Sequence, residues 1–298
     1  KANVKINPCY NFDLLYITDP KTDIYLPSLH PAFKGNAFQY IDRKKVLTGS
    51  EEQAFVAYGR AKFDKLIVEP YYMYKTEQPV AGGVEATKLK LNTIGARVAY
   101  SVDAWNMGAE YAHQFGDYDS GKDRTGNGGY VYVGRKYEPV MWKPEWELRY
   151  VYLSGDKADT TGKIETWNPL FSRNPYWNEL FIYTLVTENA KFGGGIPGYW
   201  SNLQLLKASV KLNFSPATNL ALSYQHLWAP ESTSGLSAAM FSNSGTDRGH
   251  LPTAMLSHKF SKSVDAYLQL EYFIPGDFYN KDKTDNATFF RWQVQIKI

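Results

Sequence analysis

Eight basic residues, Arg60, Lys62, Arg97, Arg149, Lys207, Lys211, Arg291 and Lys297, fall on the polar side of alternating stretches. Side chains in an extended strand point alternately to opposite faces. Lys207, Ser209, Lys211 and Asn213 therefore share one face, and Ala208, Val210, Leu212 and Phe214 share the other. Glu69, Glu147, Asp265 and Glu271 fall on the same kind of polar face. The chemistry open to such a set is recognition. The planar fork of Arg gives a carboxylate two hydrogen bonds, and a ring of Arg and Lys concentrates anions in a manner that salt weakens. The competing reading is that the cations pair with the neighbouring carboxylates and only solvate a wall.

Bond-making chemistry has little to stand on, so the catalytic set is empty. The five histidines, His30, His113, His226, His250 and His258, are scattered, and neither HExxH nor GxSxG occurs. His226 and His258 are expected at strand ends. A carboxylate pair for glycoside cleavage has weaker support still. The single Cys9 excludes an intramolecular disulfide framework and a CxxC-type zinc site, and no metal or cofactor is implied. The Gly-rich stretch 192–198 lacks the Gly-Lys-Ser/Thr ending of a phosphate loop; its flexibility suits a loop that folds back. With 33 basic and 30 acidic residues, net charge is +3, a near balance that points to no nucleic-acid partner.

The elements that must carry these residues are strands. They are expected near 10–18, 52–63, 66–76, 87–101, 105–116, 129–137, 145–154, 179–188, 202–214, 218–228, 250–260, 264–274 and 287–298, with a β-bulge near Asn92–Ile94 where alternation slips. The last strand is the cleanest: Arg291, Gln293, Gln295 and Lys297 oppose Trp292, Val294, Ile296 and Ile298. Connections are short at Asp64–Lys65, Val102–Ala104, Pro216–Ala217 and Ser261–Ser263, and long at 19–50, 155–178, 189–201, 229–249 and 275–286. Mean hydropathy is −0.43, and no apolar run approaches the roughly 20 residues of a transmembrane helix. A transmembrane barrel fits instead, because lipid-facing and lumen-facing residues alternate along its strands and short turns alternate with long loops. A soluble sandwich or propeller also alternates, but its outer face is polar where these strands carry Trp, Leu and Tyr. The 23 Tyr and 8 Trp suit a membrane interface, where Trp105, Trp142, Trp167, Trp177 and Trp200 are expected as a girdle, with sugar stacking in the mouth as the sharper alternative. The polar runs 122–124 and 282–285 read as solvated loop tips.

Three stretches carry a resemblance. Tyr-Val-Tyr-Leu-Ser-Gly-Asp (150–156) leads to Glu-Thr-Trp-Asn-Pro-Leu-Phe (165–171), and Leu-Gln-Leu-Glu-Tyr-Phe-Ile-Pro-Gly-Asp-Phe (268–278) precedes the aromatic final strand. In this order they resemble the alginate-export family of outer-membrane barrels, over roughly residues 130–298. The resemblance implies a wide barrel with an electropositive lumen for an anionic polysaccharide. It also makes Arg291 the leading site residue, because the final strand is similar to the family's Arg-bearing end strand. It implies roughly eighteen strands, more than 298 residues supply at ~9–11 residues each plus long loops. Either this is a smaller relative or N-terminal strands are missing from this chain. Ile298 departs from the aromatic ending such barrels usually have.

The expectation is a single domain over 1–298: an all-β, antiparallel transmembrane β-barrel of the bacterial outer membrane, of about 14–18 strands. The pore lining would comprise Arg60, Lys62, Arg97, Arg149, Lys207, Lys211, Arg291, Lys297, Glu147 and Glu271. The expected function is facilitated diffusion of a polar, anionic solute or polysaccharide, with the lipid bilayer as partner and no enzymatic step. A structural barrel subunit with an occluded lumen, or an outer-membrane hydrolase, is the alternative. No signal peptide is present at Lys1. The final strand is expected to be the seam where the sheet closes on an earlier strand.

Overall fold

The computed structural model describes residues 1–20, 22–23, 28–29, 40–42, 45–46, 51–78, 87–171, 201–232 and 241–297. The expected strand at 179–188, the Gly-rich stretch 192–198, His30, Trp177, Trp200 and Ile298 lie outside the described residues. One 14-stranded sheet dominates. Its strands are β1 (Ala2–Lys5), β2 (Tyr10–Asp19), β3 (Glu52–Phe63), β4 (Leu66–Glu77), β5 (Leu89–Val102), β6 (Trp105–Tyr118), β7 (Asp123–Lys136), β8 (Glu145–Leu153), β9 (Lys163–Ile164), β10 (Leu203–Asn213), β11 (Thr218–Trp228), β12 (Asp247–Lys259), β13 (Val264–Pro275) and β14 (Ala287–Ile296). Each strand pairs antiparallel with its neighbour in sequence, except β9, which lies parallel to β7 while β8 pairs β10. Two small ribbons, Thr22–Asp23 with Lys45–Val46 and Ser28–Leu29 with Tyr40–Asp42, lie between β2 and β3 in sequence.

Alternation decides which way the sheet curls. The face carrying Phe55, Tyr72, Ile94, Leu148, Leu268 and Trp292 is exposed, these residues retaining 42–67% of their accessible surface. In water that would be an aggregation hazard; facing acyl chains it needs no cover. The opposite face is concave. Tyr71 on β4 donates to Glu110 on β6 across β5, and Arg97 on β5 reaches Tyr130 on β7 across β6. Near the long-loop end this face holds an apolar cluster of Val151, Leu153, Leu203, Leu205, Leu227, Leu251 and Phe273. Buried charge lies on the same face, with Glu52, Glu69, Lys75 and Arg124 each at most 4% exposed.

The four short connections stand where the sequence puts them. Asp64 and Asp103 turn their hairpins with φ of 30° and 50°, the left-handed values that favour tight hairpins and that Asp tolerates better than most residues. Several local expectations need correction. No bulge occurs at Asn92–Ile94: Asn92, Thr93 and Ile94 pair in unbroken register with Phe115, Gln114 and His113. The alternation slips there because Asn92 faces outward near a strand end, where it accepts from the Tyr72 hydroxyl. The bulge lies instead between β11 and β12, where Leu227 opposes Gly249 and Trp228 opposes Asp247. Gly249 takes a φ of +112° to accommodate it. β7 begins at Asp123 rather than 129, so Arg124 of the supposed loop tip is a buried strand residue. Residues 282–285 are exposed, as expected. The final strand is expected to close on an earlier one, but among the described residues β14 pairs with β13 alone and not with β1 or β2.

Candidate functional site

The concave face is layered from the long-loop end inward. The first layer is the segment 163–171, which lies against β4, β6 and β7. Its hub is Asn168, 1% exposed. Gln114 grips the Asn168 backbone at both ends, accepting from its N–H and donating to its carbonyl at 2.8 Å each. The Asn168 side chain donates to Glu77 at 2.9 Å and accepts from the Leu170 N–H at 2.7 Å. Lys75 donates to the Leu170 carbonyl at 2.8 Å and pairs with Glu52 at 3.0 Å and Glu77 at 2.5 Å. Arg124 donates to the Thr166 carbonyl at 2.8 Å and to the Tyr118 hydroxyl at 2.9 Å. Ser154 closes the base, donating to the Glu165 carbonyl at 2.7 Å.

Trp167 explains Gly128 of β7. A Cβ added at Gly128 would sit 2.7 Å from its indole ring, so only Gly lets the loop approach the wall this closely. The girdle expected of Trp167 is therefore wrong: it packs inward on the apolar cluster, because the loop that carries it is latched to the inner wall. Trp105 keeps the expected place, edge-on to Trp146 at 5.8 Å on the outer face at the short-turn end. At the rim of the loop, burial pushes the Glu165 carboxyl up. Hydrogen bonds from Lys163 and Thr160, with the charge of Lys163 and Lys157, outweigh this and hold it below its ordinary 4.5. A depressed carboxylate supports the fold above its ordinary value, and that support is lost as pH falls through the lowered one.

The second layer is a belt of arginine and tyrosine. Glu69, 2% exposed, accepts from two arginines, from Arg60 Nε at 2.6 Å and from Arg97 Nη1. Arg97 continues to the Tyr130 hydroxyl at 3.2 Å. Arg149 forks onto Glu147 at 2.8 and 3.2 Å and lies over the rings of Tyr132 and Tyr130 at 4.7 and 5.3 Å. Lys207 and Gln225 sit opposite one another on β10 and β11, beside Arg149. Gln225 is fully buried, and neither end of its amide finds a partner among the described residues. Glu271 accepts from Gln269 at 2.7 Å, and Arg291 lies over the Phe289 ring at 5.0 Å.

Below the belt are two adjoining cavities of about 410 and 910 Å3, which share Glu145 and Lys211 in their walls. Ser209, Ser223, Thr253 and Gln269 line the first. All ten expected lining residues lie on the concave face. They are not equivalent. Arg60, Arg97 and Arg149 are held by carboxylates, and Lys297 pairs with Asp265 at 2.9 Å. Lys62, Lys207 and Lys211 make no ion pair among the described residues.

Sequence reasoning did not single out Lys75, Glu52, Glu77, Gln114 or Arg124. Alternation put Lys75 and Glu77 on one face with Met73, which was a usable signal. Nothing local marks Arg124, whose partners lie 42 and 6 residues away.

Comparison with known proteins extends the likeness beyond the three motifs. The alginate export family profile matches residues 37–292. No curated protein shows a significant sequence match. Among solved structures, the chain is similar to the NanC porin at 12% identity and a TM-score of 0.36, over 84% of this chain and 96% of that one. It is similar to OmpF of Salmonella typhi, solved in complex with daunomycin, at 9% identity and a TM-score of 0.38, over 99% of both chains. The siderophore receptor PirA from Acinetobacter baumannii matches at 11% identity and a TM-score of 0.48, over 99% of this chain but 42% of the receptor. With a match spanning most of its length, an apolar exposed face and a charged concave one, the chain belongs to the alginate export family of porin-like outer-membrane β-barrels.

Proposed function

We propose that the lumen passes a polar anionic solute, an acidic polysaccharide of the alginate class, by facilitated diffusion with no chemical step. The observation that carries this reading is the state of Lys62, Lys207 and Lys211. They stand on the inner wall without ion-pair partners among the described residues, while Arg60 and Arg97 share the single carboxylate of Glu69. Cationic capacity is left over for a passing anion. The tyrosines of the belt offer apolar ring faces to sugar rings, and Ser209, Ser223, Thr253 and Gln269 offer the hydrogen bonds a polyol needs.

A second reading, a barrel with an occluded lumen, draws on one observation. The latched segment 163–171 and the apolar cluster both narrow the lumen at its long-loop end. Uptake into liposomes separates the two. An acidic oligouronate should enter faster than a neutral oligosaccharide of equal length. The preference should shrink between ~0.1 M and ~1 M salt, as the screening length falls from ~10 to ~3 Å. Equal rates for the two sugars contradict the anion reading, and no entry of either supports occlusion.

A further inference from the structure

The outer wall carries a cluster that transport does not use. His226 on β11, His250 on β12 and Asp247 at the start of β12 bring one ligand atom each to within 4.8 Å of one another. All three are half-buried, at the long-loop end of the lipid-facing surface, beside Trp228 and Tyr224. Regular alternation would have kept Asp247 away from this face, since Gly249 and Leu251 point inward. The bulge at Arg248 re-aims it: Asp247 opposes Trp228, and Arg248 is buried over the Phe278 ring. Bulges that re-aim a side chain recur next to functional sites.

We infer that this cluster binds a divalent zinc ion at the outer rim of the barrel. Two imidazoles and a carboxylate are a borderline-soft donor set that suits Zn2+. His226 Nε2 lies 3.1 Å from Asp247 Oδ1, close to the ligand–ligand edge of roughly 3.3 Å that a tetrahedral ion with ~2.0–2.1 Å bonds requires. The rings of His226 and His250 are already stacked, with centroids 4.6 Å apart, so a small ring rotation brings the third ligand in. The groups behind the donors are in place. The Gly249 N–H donates to Asp247 Oδ1, and the Asp247 N–H is held by Asp277, each at 2.9 Å. The Tyr224 hydroxyl lies 2.7 Å from His250 Nδ1 and orients that ring. Such supporting bonds are what fix ligands at metal sites. Three protein ligands leave a fourth position open to water, and the ion would join β11 to β12 across the bulge.

The test is a zinc titration of the purified protein in detergent by calorimetry, repeated with Co2+ as an optical probe. One ion per chain is expected, with the strong visible absorption of tetrahedral Co2+. His226→Ala and His250→Ala should each weaken binding at least ~10-fold, while His258→Ala, at the other end of the barrel, should leave it unchanged. Absence of stoichiometric binding by the wild-type protein overturns the inference. So does binding that survives the His226→Ala/His250→Ala double variant.

Discussion

Lys75 shows how a charge enters the wall of this barrel. Its side chain is 1% exposed, between the carboxylates of Glu52 and Glu77, and its ammonium also holds the Leu170 carbonyl. The Phe171 ring lies 4.7 Å from the same ammonium. Removing one partner of a buried ionic group leaves uncompensated charge. Lys75→Met, similar in volume, should therefore destabilise the protein by about 3–5 kcal/mol, measured by urea unfolding in detergent. A change under about 1 kcal/mol would show that water or another cation already solvates Glu52 and Glu77. The sequence contained half of this. Alternation put Lys75 on the inner face, but period-2 patterning reports a face, not a depth, and says nothing of a loop 95 residues away that covers it.

At the scale of the element, the segment 163–171 is latched to the inner wall at the long-loop end. The segment Trp167-Asn168-Pro169-Leu170-Phe171 was recognisable as a family element, yet its fold-back was not, because its partners are spread over β4, β6 and β7. The stretch expected to fold inward was the Gly-rich 192–198. Among the described residues it is 163–171 that does so, held by side chains of the wall rather than by flexibility of its own. Gly128→Val tests this, since it puts a branched side chain where Trp167 now touches the wall. The strand keeps its register and gains β-propensity, so circular dichroism should be unchanged while single-channel conductance rises. Unchanged conductance would mean that the segment does not narrow the path. The strands themselves were far more legible, because a lipid-facing wall enforces alternation at every position. The bulge at Arg248 was not legible, because it lies where a long connection is expected and one extra residue reverses the faces without any change in composition.

On the scale of the whole molecule, the exposed apolar wall and the concave polar one follow from the same alternation, and the family match places the barrel in the outer membrane. What distinguishes this lumen is the inequality of its cations. The eight basic residues read from the sequence share a face. Four of them are spoken for by carboxylates, Arg291 lies over a ring, and three lysines are left without an ion pair among the described residues. One-dimensional patterning could not separate these groups, because alternation reports a face, whereas pairing depends on the register between adjacent strands and on side-chain reach. The most direct test is the reversal potential of the reconstituted channel in a planar bilayer under a salt gradient. Anion preference is predicted for the wild-type protein. It should be largely lost in a Lys62→Gln/Lys207→Gln/Lys211→Gln variant, and much less affected by Lys297→Gln, whose charge is already paired with Asp265. Cation preference, or anion preference untouched by the triple substitution, would contradict the account.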